Sequence, residues 1–161
     1  MSNAMYNIKY TNNVILDCAY SVEYFNSDRN PPEGVVYDGK SYEISGNIMR
    51  RAGNSWGRPC DKASSHLKGW TSENKYADRS FTVKGNIFDR AYGYMIQTPA
   101  LEESWLPVFS DNVYIQTPDG MLGYYDSYTE IYPFDENVDK IIGEKLGDKT
   151  ARIYFVPEQK I

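Results

Sequence analysis

Short runs of alternating apolar and polar residues recur along this chain and constrain its fold more than any other feature. Tyr6, Ile8 and Tyr10 alternate with polar neighbours, and comparable apolar runs follow at residues 14–20, 35–37, 81–83, 92–96 and 113–115. A period of two is typical of half-buried β-strands, and turn residues separate the runs. The sequence therefore predicts a β-rich protein.

Two of the turns predict β-hairpins. Residues 11–13 supply turn chemistry between the first two apolar runs. Asp38 and Gly39 lie between residues 35–37 and 42–44, and this dipeptide tolerates the positive φ angles of a tight hairpin turn. Both patterns favour antiparallel pairing of neighbouring strands.

Helical patterns are few. Residues 138–146 place Val138, Ile141, Ile142 and Leu146 on one face, and Gly147 is suited to a left-handed helix end. Shorter helices are predicted over residues 61–69, with Asp61 as the cap, and from Thr98–Pro99 to about Pro107. Residues 151–156 are predicted to form a closing strand.

These patterns together predict an α+β fold with a curved antiparallel sheet or partial barrel, one longer C-terminal helix and one or two short helices. Residues 1–4 resemble an expression-tag remnant ahead of a native initiator at Met5, so residues 5–161 are expected to form a single globular domain. The tetrapeptide Ile-Gln-Thr-Pro occurs at 96–99 and 115–118, but two copies do not predict a repeat architecture.

The composition and motifs of the chain indicate its expected cellular compartment and whether a cofactor is expected. No apolar run is long enough to span a membrane, and the two cysteines, Cys18 and Cys60, do not suggest a disulfide framework. We therefore expect a cytoplasmic protein that does not bind a membrane. No metal-ligand spacing or glycine-rich phosphate loop is present, so no cofactor is expected.

Charge is segregated along the chain. Between Tyr92 and Asp139 there is no Lys or Arg, whereas residues 50–90 are rich in both. The intervening segment contains nine carboxylates: Glu102, Glu103, Asp111, Asp119, Asp126, Glu130, Asp135, Glu136 and Asp139. Either this segment gives one surface a negative potential, or the basic segment folds over it and neutralises it.

The candidate binding site lies within this acidic segment. If residues 123–132 form one strand, alternate side chains share a face, and tyrosine alternates with carboxylate along it. The predicted partner-binding residues are Tyr124, Asp126, Tyr128, Glu130 and Tyr132, with Asp119 extending the patch. Carboxylates hydrogen-bond cationic side chains, and aromatic rings attract Lys and Arg.

The leading functional hypothesis is a non-enzymatic acidic protein that docks onto a basic protein surface, as inhibitors and immunity-type proteins do. An alternative is a carbohydrate-binding domain or sugar-active enzyme with a groove lined by tyrosines and carboxylates. A third is an enzyme centred on Cys60, with His66 as base and Asp61 as orienting acid. Residues 50–79, with Trp56 and Trp70, could bind single-stranded nucleic acid, but the net charge of −5 disfavours this.

Overall fold

A computed structural model of the chain describes residues 8–26, 41–57, 59–71, 80–97, 107–124 and 131–157. Twelve strands follow one another before a short C-terminal unit. They are β1 (Ile8–Thr11), β2 (Val14–Leu16), β3 (Tyr20–Asn26), β4 (Ser41–Ser45), β5 (Ile48–Ala52), β6 (Ser65–Thr71), β7 (Ser80–Lys84), β8 (Ile87–Ala91), β9 (Tyr94–Gln97), β10 (Val108–Ser110), β11 (Val113–Gln116) and β12 (Met121–Tyr124).

The strands form three parallel sheets, not one antiparallel sheet. Every third strand belongs to the same sheet: β1-β4-β7-β10 form sheet A, β2-β5-β8-β11 sheet B, and β3-β6-β9-β12 sheet C. All neighbours within these sets are parallel. The chain therefore coils as a β-solenoid of four rungs, each rung contributing one strand to each sheet. The predicted curved antiparallel α+β domain is wrong.

The predicted hairpin at residues 11–13 is a corner between two sheets. Asn12 adopts a left-handed conformation with φ of 57°, and β1 and β2 on either side of it pair with β4 and β5. One left-handed residue turns the chain without reversing it, so each strand finds its partner one rung away. The hairpin predicted at Asp38–Gly39 lies outside the described residues, although β4 pairs in parallel with β1 and β7.

The same corner recurs in every rung, and its left-handed residue precedes a buried or half-buried asparagine. The left-handed residues are Asn12, Gly46, Gly85 and Asp111, with φ between 57° and 66°. Asparagine, aspartate and glycine are the residues that tolerate this conformation best. At Gly46 a Cβ would also meet the end of the Asn12 side chain, which would have to shift to make room for it.

The asparagines that follow these residues form a hydrogen-bonded ladder through the molecule. The backbone N–H and the side-chain amide of each donate to the side-chain oxygen of the next, at 2.8–3.2 Å. The members are Asn13, Asn47, Asn86, Asn112 and finally Asp148. Three of the amides also donate to carbonyls of sheet A: those of Tyr10, Ile44 and Val83.

Asp148 is chemically suited to end this ladder. A carboxylate accepts hydrogen bonds and offers no donor, so it needs no further rung beyond it. Its side chain accepts from the backbone and side chain of Asn112 and from the Tyr114 hydroxyl at 3.3 Å. Gly147, with φ of 72°, supplies the left-handed corner before it.

The interior is filled by side chains stacked in register. In sheet B the inward column is Ile15, Met49, Phe88 and Tyr114, and in sheet A it is Tyr10, Ile44, Val83 and Phe109. Phe88 and Tyr114 are fully buried, with ring centroids 5.4 Å apart. Because apolar residues stack on apolar residues in successive rungs, burial is continuous along the axis.

The C-terminal unit closes one end of the solenoid. Strand β13 (Tyr132–Pro133) pairs antiparallel with β12, and β14 (Arg152–Phe155) extends sheet B in parallel. Between them, helix α1 (Val138–Ile141) continues as a π-helical segment (Ile142–Leu146). In the other rungs, this position in chain order is occupied by a strand of sheet A. Val138, Ile142 and Leu146 are buried against the core, as predicted for this helix.

The other local predictions had mixed outcomes. The helix over residues 61–69 is wrong: the Asp61 side chain accepts a hydrogen bond from the Ala63 N–H, and residues 65–71 form β6 between β3 and β9. The backbone hydrogen bonds of β6 to a strand on each side outweigh the helix-capping preference of Asp61. The helix beginning at Thr98–Pro99 lies outside the described residues. Gln97 and Gln116, in the two copies of the tetrapeptide, each end a strand.

Candidate functional site

Carboxylates gather at the closed end of the solenoid, in a group that we call the acidic end: Asp119, Asp135, Glu136 and Asp139. The Phe134 N–H donates to the Gly120 carbonyl at 2.9 Å, which brings the turn containing Asp119 beside Asp135. Glu136 and Asp139 follow at the start of α1, where carboxylates are favoured by the helix dipole. Asp119, Glu136 and Asp139 are exposed.

None of these four carboxylates forms an ion pair with a described residue. The nearest lysines in the sequence are engaged differently: Lys140 lies 4.0 Å from Glu144, and Lys145 lies 5.8 Å from the centre of the Tyr132 ring. Of the predicted acidic block, Asp111 is paired, at 3.6 Å from Lys84. The acidic end therefore keeps an excess of negative charge in the described part of the chain.

The predicted strand over residues 123–132 is not continuous. Gly123 of β12 pairs antiparallel with Tyr132 of β13, so the chain reverses direction between them. Tyr124 ends β12, Tyr132 begins β13 and is half-buried, and Asp119 lies in the exposed turn before β12. Asp126, Tyr128 and Glu130, and the side chain of Tyr124, lie outside the described residues. Tyr124 and Tyr132 therefore do not belong to one continuous strand, and the role of the predicted residues in binding stays a prediction.

Three arginines of the basic segment, Arg50, Arg51 and Arg90, lie at a different place, the corner between sheets B and C. Arg51 donates to both carboxylate oxygens of Asp17 at 2.6 and 2.7 Å. Arg50 and Arg90 converge on Asp89, at 2.6 and 2.7 Å. Asp17, Arg51 and Arg90 have positive φ, so this corner recurs in the first three rungs. Arg50 and Arg51 thus neutralise their own corner and not the acidic block.

The corner shifts the pKa values of its carboxyl groups. Hydrogen bonds from Arg51 and Asn54 lower the pKa of Asp17 from 3.8 to about 2. Burial of Asp89 favours its neutral form, but the hydrogen bonds and charges of Arg90 and Arg50 outweigh this and lower its pKa. Both carboxylates are therefore ionised at neutral pH, which keeps the network intact.

We expect Asp17→Asn to lower the free energy of unfolding at pH 7 by at most about 1 kcal/mol, because the Asp17 and Arg51 side chains are each about one-third exposed to solvent. Since the folded pKa lies below the unfolded one, the wild-type advantage is present above pH 3.8 and is lost as the pH falls towards 2. Urea unfolding at pH 7 and pH 2.5 measures it. A wild-type advantage that persists undiminished at pH 2.5 would contradict this pairing.

The only histidine is internal and fully engaged. His66 is completely buried, its Nδ1 lies 3.1 Å from the Ser21 hydroxyl, and its Nε2 lies 3.1 Å from the Arg90 carbonyl. A carbonyl accepts, so Nε2 carries the proton, and Nδ1 accepts from Ser21. Burial lowers the pKa of His66 from 6.5 to about 4. The ring is neutral in the folded protein.

This geometry overturns the Cys60–His66 pairing. Cys60 is exposed in the loop before β6, whereas both ring nitrogens of His66 are occupied inside the solenoid. Tyr92 lies close to the thiol, and burial, with a smaller effect of Cys60, raises the pKa of Tyr92. The Tyr92 hydroxyl has no hydrogen-bond partner among the described residues.

The described residues also bear on metal binding and on membrane insertion. Within the described ranges, no three His, Cys, Asp or Glu side chains are grouped so as to hold a metal ion. No helix in the same part of the chain is long and apolar enough to cross a membrane.

The rung architecture, the asparagine ladder and the C-terminal helical unit define a β-solenoid protein with one closed end. No protein-family model, curated protein or solved structure matches the chain.

Two features of the fold that were not predicted, the asparagine corner and the corner between sheets B and C, nevertheless follow a pattern in the sequence. A left-handed residue, an asparagine and a β-branched residue recur at Asn12–Val14, 46–48, 85–87 and 111–113. The separations of the asparagines, 34, 39 and 26 residues, differ too much for a search at fixed period to find them. The corner residues Asp17, Arg51 and Arg90 each lie three residues after the end of one of the first three copies.

Proposed function

We propose that this protein is a non-enzymatic binding protein whose acidic end docks onto a basic protein surface, in the manner of an inhibitor or immunity-type protein. The observation that supports this most strongly is the group of four carboxylates without an ion pair to a described residue, close in the chain to the half-buried Tyr132. Negative potential concentrated on one end accelerates the encounter with a cationic partner.

The distribution of cations supports the same conclusion. Arg50, Arg51 and Arg90 are held by Asp17 and Asp89 at another corner. The basic segment therefore contributes these three arginines to internal pairs, and the acidic end keeps its charge for a partner. Tyr124, Asp126, Tyr128 and Glu130 belong to the same stretch of sequence as Asp119 and Tyr132, and we include them in the proposed surface.

A defined cationic probe tests the acidic end. We expect a fluorescein-labelled deca-arginine peptide to bind the wild-type protein at 20 mM NaCl and to weaken strongly at 150 mM, since exposed charges are screened over about 8–10 Å. The triple variant Asp119→Asn, Glu136→Gln, Asp139→Asn should bind about five- to tenfold more weakly at low salt. Fluorescence anisotropy measures both affinities.

The matched control removes three carboxylates elsewhere: Glu43→Gln, Asp61→Asn and Asp111→Asn. It has the same net charge as the triple variant, so equal weakening by the two variants would mean that net charge and not the acidic end determines binding. A further pair, Asp126→Asn with Glu130→Gln, tests the predicted row. If this double variant binds the peptide with the affinity of the wild type, Asp126 and Glu130 do not belong to the proposed surface.

A further inference from the structure

The two ends of the solenoid differ. At the closed end, β13, α1 and β14 cover rung 4, and Phe134, Val138 and Ile142 are buried against the core. At the other end, β1, β2 and β3 are the outermost strands of sheets A, B and C. Each is paired along one edge, with β4, β5 and β6. In the described part of the chain no strand pairs with their second edges.

The backbone of β2 shows which groups face that second edge. The Asn13 carbonyl accepts from the Ile48 N–H at 2.8 Å, and the Asp17 N–H donates to the Arg50 carbonyl at 3.1 Å. Successive residues of a strand direct their hydrogen-bonding groups to opposite edges. The N–H and C=O groups of Val14 and Leu16 therefore point away from β5, where the Leu16 carbonyl accepts a hydrogen bond from the Cys18 thiol at 3.5 Å, and both side chains are exposed.

The asparagine ladder has a matching open position. The side-chain oxygens of Asn47, Asn86 and Asn112 each receive two donors from the preceding rung. The side-chain oxygen of Asn13 receives none from the described residues, although its amide donates to the Thr11 carbonyl and to Asn47. The ladder ends on an acceptor-only carboxylate at one end and begins with an unfilled acceptor at the other.

The interior column of sheet A opens at the same rung. Ile44, Val83 and Phe109 are at most 5% exposed, whereas Tyr10, which occupies the same column in rung 1, is 36% exposed. A further rung stacked on β1 would cover this ring as rungs 3 and 4 cover their neighbours. Open backbone edges, an unfilled side-chain acceptor and an uncovered core residue thus coincide on one surface.

We infer that the open face of rung 1 binds a segment of another polypeptide as an additional parallel β-rung, with an asparagine in its corner. Such a segment adds a strand to an exposed sheet edge, and its corner N–H and carboxamide supply the two donors that Asn13 lacks. A second copy of this chain fits less well. If two copies joined by their open ends, the Asn13 oxygen of one would face the Asn13 oxygen of the other, and both are acceptors. If the open end of one copy joined the closed end of another, Asn13 would face the side chain of Asp148, which is also only an acceptor.

A peptide copied from this chain's own third rung is the probe. We expect a fluorescein-labelled peptide of residues 80–97 to bind the full chain, measured by fluorescence anisotropy. Leu16→Pro removes an N–H that faces the open edge and makes no bond to β5, so the variant should fold and bind the peptide about tenfold more weakly. The control Val14→Thr keeps its backbone N–H and should bind as wild type.

A change in the peptide provides a test that does not depend on folding of a variant. Asn86→Asp in the peptide removes the carboxamide donor and places a carboxylate against the Asn13 oxygen, so affinity should fall about tenfold. Equal affinity for both peptides, or no binding of the unaltered peptide, overturns the proposal. Sedimentation should show a monomeric protein; a dimer dispersed by Leu16→Pro would overturn the assignment to a foreign rung.

Discussion

Replacing Asn86 with alanine is expected to lower the free energy of unfolding by about 3–5 kcal/mol, because it interrupts the ladder at its centre. The change leaves the backbone and side-chain donors of Asn47 without their acceptor and removes a donor from the Ile44 carbonyl. Asn47 and Asn86 are fully buried, so water does not readily replace the lost partner. Urea denaturation followed by circular dichroism measures the difference.

Two companion variants define the origin of that loss. Asn137→Ala removes an exposed asparagine whose side chain makes no capping bond to α1, and its effect should stay within about 0.5 kcal/mol. Asn86→Asp keeps an acceptor for Asn47, but its side chain cannot donate to the Asn112 oxygen or the Ile44 carbonyl, so it should also destabilise. A loss below about 1 kcal/mol for Asn86→Ala would mean that the ladder contributes little.

Acidification is expected to destabilise the protein through His66. The unfolded side chain binds a proton near pH 6.5, whereas burial lowers the pKa in the folded protein to about 4. The folded state is therefore fully favoured above pH 6.5 and loses stability as the pH falls towards 4, by about 2 kcal/mol between pH 7 and pH 5 and about 3 kcal/mol by pH 4. Urea unfolding at pH 7, 6 and 5 measures this slope.

The chain offers an unusually direct control, because His66 is its only histidine and carboxyl groups titrate mostly below this range. His66→Gln retains an acceptor for the Ser21 hydroxyl and a donor for the Arg90 carbonyl, but it does not titrate. The variant should have a nearly flat stability between pH 7 and pH 5. If its slope equals that of the wild type, His66 is not the group responsible.

The local alternation of side chains predicted strands correctly, but it could not predict their partners. Ile8 and Tyr10 alternate with Lys9 in a strand whether that strand pairs with its neighbour in sequence or with one a full rung away. The difference lies in Asn12, which is the single left-handed residue of this turn and makes a corner in place of a hairpin. Asparagine is common in both kinds of turn, so its identity alone did not decide the topology.

The candidate site, like the fold, was predictable from the sequence only in part. The absence of Lys and Arg between Tyr92 and Asp139 was readable directly, and so was the dense acidic block. That Arg50 and Arg51 bind Asp89 and Asp17, and that Gly123 pairs with Tyr132, required the coiling of the chain. Charge composition is a sum over residues, whereas charge pairing depends on which rungs are adjacent.

The sequence by itself determined the strand-rich character, the helix that ends at Gly147 and the segregation of charge, because each follows from contacts or propensities within a few residues. Only the tertiary structure decided that the sheets are parallel, that four asparagines and Asp148 form one ladder, and that one end of it is closed. These depend on hydrogen bonds between residues 26 to 39 positions apart, and the unequal rung lengths hide that register from any local pattern.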